Sequence, residues 1–403
     1  MSIKLFGVAL LSVQLGCSSA SSEDPIESSG GSTAASGASP STAGAVASGG
    51  GAGSGGVIAA GSPSNGGMAA QPPVSGGGVA GSVAAGGMAN AGSGEGGDPG
   101  GGVGGTGAAG GTSFPTEPPV RDASSKVPVS KPPSGYTVEG NFAYGPHNAQ
   151  RIDVIYPNGG GPRATTSLPV VLMFHGGAWI HSYTNDYGSG KDHMSTFFNR
   201  FLAHGFIVCN AEYRVNDGTA DGAVAPAAVE DALLAAKWCW SYLDYFHGDR
   251  SKLVVTGASA GGHLALMVGL TTPAAMLGPT APNDFKIAGI VSGYGPADIE
   301  AELSGVARAW IPADLPDRDA VAKRVNPITY VREGAPPLIV VQGANDNTAP
   351  VKDSQRLVNL LTAAGSDASI HLVAGAAHGF TNGTWPDAEK AMFDWLSARG
   401  IGK

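Results

Sequence analysis

One pentapeptide constrains this chain more than any other: Gly257-Ala258-Ser259-Ala260-Gly261. It stands between two apolar runs, Leu253-Val254-Val255-Thr256 and His263-Leu264-Ala265-Leu266-Met267-Val268. The first has the length of a buried strand, and the second reads as the start of a buried helix. A strand that turns straight into a helix crowds the residues around its apex, so glycine is needed two positions before and after. The apex residue is pushed outward, and its hydroxyl sits at the mouth of a helix N-terminus. Ser259 is the only serine of the chain with glycine at both positions. Alone, the pentapeptide also fits a Gly/Ser turn without chemistry. Its surroundings decide.

Strand-like and helix-like segments alternate from Tyr136 onward, the pattern of an α/β domain: a mostly parallel sheet with helices on both faces. Residues 136–144 and 151–156 read as an opening antiparallel pair. The run at 169–174 is nearly all apolar, as expected of a strand covered on both faces. A helix at 196–204 and a strand at 206–211 follow. Pro226 opens a long helix with Val229, Leu233, Ala236 and Trp240 at helical spacing. Strands at 287–292, 338–342 and 369–373 alternate with helices at 351–364 and 386–399. The alternation breaks only between 297 and 330, where prolines, charges and Trp310 read as a short helical insertion rather than a full cap. A shallow, open site follows.

Most of the first third of the chain carries none of this patterning. Residues 18–130 are rich in Gly, Ala, Ser and Pro, with almost no aromatic side chains. Such a segment buries too little apolar surface to offset its ordering entropy, so it is expected to be a disordered tether ahead of a single catalytic domain at 131–403. Ahead of it, Lys4 precedes an apolar stretch at 5–15 and then Gly16-Cys17-Ser18-Ser19. Residues 1–17 read as a secretory signal too short to span a bilayer, with Cys17 at a lipoprotein-like cleavage site. Gln14 departs from that pattern. The expectation is an exported protein, either anchored through a lipid on Cys17 to the outer surface or periplasm, or secreted. A formal charge of −9 without any Lys/Arg run argues against nucleic acid and anionic membranes as partners. Export permits a disulfide between Cys209 and Cys239, although both sit in apolar contexts that suit two buried free thiols.

An activated serine needs a base, a carboxylate to orient it, and donors for a developing oxyanion. The segment His175-Gly176-Gly177-Ala178-Trp179 follows the third strand, and its glycines free backbone N–H groups to turn inward. The N–H groups of Gly177, Ala178 and Ala260 are therefore the oxyanion candidates. Asp346 follows an apolar strand directly and is the carboxylate candidate; Asp353 and Asp367 better fit surface roles. His378 lies just past the last strand and is the candidate base, whereas His371 alternates within that strand and reads as structural. The order Ser, Asp, His, each at a strand's C-terminal end, favours the catalytic reading. No metal is expected, since Asp192, His193 and His181 lack ligand spacing on one helix face, and no cofactor is needed.

These segments resemble the α/β-hydrolase superfamily, in particular bacterial carboxylesterases of the feruloyl and acetyl-xylan esterase type. The likeness runs from Tyr136 to the end of the chain. It is carried by Tyr144-Gly145-Pro146, Ile152-Asp153-Val154-Ile155-Tyr156-Pro157, the 175–179 loop, Glu212-Tyr213-Arg214 and the elbow through Leu264. Asn326-Pro327-Ile328-Thr329-Tyr330-Val331, Gly343-Ala344-Asn345-Asp346 and His378-Gly379-Phe380 complete it. The resemblance implies a triad of Ser259, Asp346 and His378. Ala178 stands where a third glycine is common, and its methyl group narrows the pocket. Gln342 stands where histidine is frequent, a departure expected not to touch the chemistry.

The resulting expectation is a serine esterase acting on short or small acyl groups, which a polymer such as acetylated or feruloylated xylan can carry. Trp179 and Trp310 are the candidate substrate contacts, with Trp310 expected to flank the opening. Two alternatives stand beside it: an amide hydrolase of arylformamidase or peptidase type, and a non-catalytic surface-binding module.

Overall fold

The computed structural model describes residues 115, 117–181, 190–220, 222–281 and 283–402. The expected signal at 1–17, Cys17 and the tether up to 114 lie outside the described residues.

The apolar runs become one sheet. Its strands are β1 (Tyr136–Ala143), β2 (Arg151–Pro157), β3 (Leu168–Phe174), β4 (Ile207–Ala211), β5 (Gly248–Ala258), β6 (Gly289–Gly293), β7 (Leu338–Gly343) and β8 (Ala368–Val373). They lie in the order β1-β2-β4-β3-β5-β6-β7-β8. β1 pairs antiparallel with β2, and β2 with β4, while every later pairing is parallel. The α-helices of the described residues are α1 (Ser195–Ala203), α2 (Ala227–Tyr242), α3 (Ala260–Leu270), α4 (Pro273–Leu277), α5 (Arg318–Arg324), α6 (Val351–Ala363) and α7 (Trp385–Ser397).

Two apolar layers explain why the central strands lack alternation. On one face, Phe197, Phe198 and Phe201 of α1 pack with Met392, Phe393 and Leu396 of α7 against Val171, Met173 and Val254. On the other, Val229 and Leu233 of α2, Leu264 and Leu266 of α3 and Leu357 of α6 cover Val170, Leu172 and Val255. Every residue of α3 is buried, so this helix has no solvent face and its sequence is apolar all round. Cys209 and Cys239 are buried free thiols with their Sγ atoms 3.1 Å apart. Among the described residues no helix is long and apolar enough to cross a membrane.

Order begins earlier than the expected boundary at 130/131. Arg121 bridges to Phe142, Asn141 donates its side-chain amide to Val127 O at 2.8 Å, and Val127 is buried. Ser130 gives its N–H and hydroxyl to Asp153 at 2.7 and 2.8 Å. Asp153 in turn accepts from the buried ammonium of Lys191 at 2.6 Å, and that ammonium also reaches Pro128 O at 2.7 Å. The strap is held by polar contacts to distant residues, which hydrophobic patterning does not register.

The 297–330 insertion is folded down onto the domain. It contains a short 3₁₀ turn (Val306–Arg308), α5 and a second 3₁₀ turn (Pro327–Tyr330). Ala307, Trp310, Ile311, Ala322 and Val325 are all fully buried. Asn326 ties its ends, accepting from Ile299 N–H and donating to Asp298 and Glu300.

Candidate active site

Ser259 sits where β5 turns into α3, with φ 54° and ψ −119°. This is a left-handed φ on a residue with a Cβ, a strain that persists only where the surroundings impose it. The flanking glycines show what imposes it. A Cβ on Gly257 would lie 2.4 Å from the carbonyl of Gly261, and one on Gly261 would lie 2.1 Å from Phe174 O. Only glycine lets the elbow close against the end of β3. Ser259 N–H donates to Gly293 O at 2.9 Å, which fixes the apex to β6.

His378, from the loop after β8, places Nε2 2.8 Å from Ser259 Oγ. Its Nδ1 lies 2.9 Å from Asp346 Oδ2 and 3.1 Å from Oδ1. Asp346, from the loop after β7, is held in turn by the N–H groups of Thr348 and Ala349 at 2.9 and 3.0 Å. Burial alone pushes the Asp346 carboxyl up. The hydrogen bond and charge of His378, with the Ala349 and Thr348 N–H groups, outweigh it and hold the carboxyl below its ordinary range. The side chain of His378 is 17% exposed and that of Asp346 is fully buried, so the imidazole is the accessible end of the relay.

The segment after β3 has three successive left-handed residues: Gly177 (φ 110°), Ala178 (φ 51°) and Trp179 (φ 58°). Such a run turns consecutive N–H groups into a concave nest suited to an anion. Gly177 O ties the run off by accepting from Ile180 and His181, and Trp179 O accepts from Asn216 at 2.8 Å. Among the described residues, nothing takes up the N–H groups of Gly177, Ala178 or Ala260. Ala178 strains the backbone here as a glycine would not, so its departure from the family pattern has a conformational cost as well as a steric one.

Four expectations are corrected. Trp310 does not flank an opening: it is fully buried, stacked on Trp179 with centroids 4.5 Å apart and planes 14° apart. Trp179 is fully buried as well, and the ring of His263 meets both edgewise. Stacking with a residue 131 positions away decides this, so both tryptophans anchor the loop from beneath instead of facing substrate. Gln342 does touch the relay, donating Nε2 to Asp346 Oδ2 at 3.2 Å and to Ala349 O. Asp353 is buried and not a surface residue; burial pushes its carboxyl up. The remaining rivals stand apart, with Asp367 paired to Arg399 at 2.5 Å and His371 facing Asp387 at 3.1 Å.

Sequence reasoning missed Tyr294, whose ring meets that of His378 edgewise at 5.0 Å from a left-handed backbone (φ 41°). Its position directly after β6 was the available signal. Among the described residues no group of three or more His, Cys, Asp or Glu side chains is placed to hold a metal ion.

Known proteins share this fold. Residues 153–361, more than half of the chain, match the BD-FAE family. The chain is 29% identical over 248 residues to Esterase LipC of Mycobacterium tuberculosis, covering 59% of this chain and 58% of that protein. It thus spans little more than half the length of the curated relatives it matches. Among solved structures, a truncated carbohydrate esterase from gut microbiota superposes with a TM-score of 0.55 at 22% identity, covering 66% of this chain and 98% of that one. Propionate-bound esterase 2 of Thermogutta terrifontis superposes with a TM-score of 0.54 at 21% identity, over 67% and 96%. With sheet order and family match in agreement, this chain belongs to the BD-FAE family, and its folded domain has the α/β-hydrolase fold.

Proposed function

We propose that this chain is an exported serine esterase that cleaves carboxylic esters of short or small acyl groups, including those displayed on a polymer. The observation that carries the reading is the unbroken relay from Ser259 Oγ through His378 to Asp346, at 2.8 and 2.9 Å. Ser259 Oγ attacks the ester carbonyl carbon as His378 Nε2 takes the hydroxyl proton. The carbonyl electron pair moves onto oxygen, and the N–H groups of Gly177, Ala178 and Ala260 receive the oxyanion. Collapse expels the alkoxide, which takes the proton back from Nε2. Water then repeats the cycle on the acyl-enzyme and frees Ser259. Asp346 holds the imidazole tautomer that keeps Nε2 free to accept.

Three observations support small acyl groups. The insertion's large aromatic side chain, Trp310, is consumed in packing and lends no wall to a long-chain pocket. Ala178 adds a methyl group beside the oxyanion nest. The Thermogutta neighbour holds propionate. The signal-like leader and Gly/Ser-rich segment support export and reach toward a large substrate.

The test is a panel of p-nitrophenyl esters from acetate to palmitate, with methyl ferulate, acetylated xylan and an isosteric anilide. Acetate or butyrate turnover that is lost in Ser259→Ala is expected. A clear preference for palmitate overturns the acyl assignment, and faster anilide cleavage makes the protein an amidase.

A further inference from the structure

Another histidine–carboxylate pair, fully buried, lies beneath the oxyanion loop. His175, the first residue of that loop, is fully buried, its ring stacked on Tyr213 with centroids 4.1 Å apart and planes 12° apart. Its Nδ1 lies 2.6 Å from Gly176 O, and its Nε2 lies 3.1 Å from Glu212 Oε1. That contact lies within ion-pair distance but outside hydrogen-bond geometry, and neither Nε2 nor Oε1 has a hydrogen-bond partner among the described residues. The second oxygen of Glu212 accepts the N–H of Lys191 at 2.9 Å, and the hydroxyl of Tyr213 donates to His175 O at 2.8 Å.

The partners of the two ring nitrogens show what this pair can do. A carbonyl oxygen only accepts, so Nδ1 carries hydrogen and donates to Gly176 O. Nε2 is the polar edge of the ring that faces the Glu212 carboxyl, 3.1 Å from Oε1, with both side chains fully buried. The other nearby cations are already engaged: Lys191 Nζ by Asp153 at 2.6 Å and Arg214 by Asp231 at 2.6 Å. Tyr144 donates its hydroxyl to Glu212 O, and burial pushes its phenol and that of Tyr213 up, so both stay neutral donors. His175 is thus the group that answers the carboxyl of Glu212.

The consequence lies one peptide further on. Gly176 C=O and Gly177 N–H are two ends of the same amide, and Gly177 N–H is one of the nest's free donors. A hydrogen bond accepted at the carbonyl pins the plane of that amide and polarises its N–H. We propose that Glu212 is a positioning residue for the oxyanion hole, acting through His175 to aim and strengthen the Gly177 donor. The inference rests on the esterase reading and names a residue outside the triad on which its rate depends.

Glu212→Gln keeps the shape and removes the charge. Removing a whole oxyanion donor costs about 10²–10³ in rate, so misaiming one is expected to lower kcat roughly 10–100-fold with KM nearly unchanged. Rates are counted per Ser259 titrated with a fluorophosphonate, so misfolded molecules do not contribute. Inhibition by a trifluoromethyl ketone, whose adduct carries the oxyanion, is expected to weaken by a similar factor. Glu212→Asp, which restores the carboxylate, should recover part of both; His175→Gln offers a second route if Glu212→Gln does not fold. Wild-type kcat per titrated site in Glu212→Gln, even with a lowered Tm, would make the pair merely structural and overturn the proposal. A wild-type protein that neither labels nor turns over ester would instead overturn the esterase reading beneath it.

Discussion

Two of the molecule's histidine–carboxylate pairs use the same functional groups in opposite ways. In the His378–Asp346 pair, one ring nitrogen faces a carboxylate and the other faces the hydroxyl of Ser259, a group able to surrender its proton. In the His175–Glu212 pair, the second ring nitrogen faces a carbonyl oxygen, which cannot. The first imidazole is partly exposed and the second fully buried. In the proposed mechanism, the same pair of groups serves as a proton carrier in one place and as a fixed strut in the other. Access and the identity of the third partner decide which.

The strongest way to break the comparison is to remove the carrier. His378→Ala is expected to lower kcat by about 10⁵–10⁶, leaving only the contribution of the nest and binding. Asp346→Asn keeps the geometry but loses the charge that sets the tautomer, and should cost about 10⁴. Asp346 also links stability to pH. Its carboxyl is held below its ordinary range in the folded state, so the stabilisation is fully present above the ordinary value and is lost as pH falls through the folded one. Denaturant titrations of Asp346→Asn should therefore converge on wild type in strong acid.

Trp310 tests whether packing beneath Trp179 holds the oxyanion loop. Trp310→Ala leaves a cavity under Trp179 and is expected to destabilise the domain by about 3–5 kcal/mol, read as a fall in Tm. An unchanged Tm would mean that the insertion does not anchor the loop.

A third histidine sharpens the contrast most gently. His263 is fully buried like His175, but among the described residues its ring has no carboxylate partner, and Nε2 lies 2.8 Å from Val325 O. Burial drives its pKa down to about 4. Between pH 6.5 and 4 the unfolded chain binds a proton that the folded one refuses, so stability falls as pH drops through that window, by up to about 3 kcal/mol. His263→Gln should flatten that slope; an unchanged slope would place its origin elsewhere.

Much of this was legible in the sequence, for identifiable reasons. The elbow announced itself because two glycines at fixed offsets are a steric necessity, and Asp346 and His378 followed because each ends an apolar strand. The strand at 169–174 was readable as a nearly unbroken apolar run. What escaped depended on partners far along the chain. The 121–130 strap is held by Asp153 and Lys191, Trp310 is claimed by Trp179, and Gln342 finds Asp346 only because the loop after β7 folds back. Glu212 was visible as part of a motif, but its function lies in a contact with His175 across two parallel strands. Patterning reports what an element buries, not which polar group it meets there.

The central claim is that Ser259 is a nucleophile activated by His378. The most direct measurement is fluorophosphonate titration of wild type and His378→Ala, with the labelled peptide mapped by mass spectrometry. One label per wild-type chain, on Ser259, and none on the variant at matched times is the expected result. A label on any other residue, or equal labelling of the two proteins, would contradict the account.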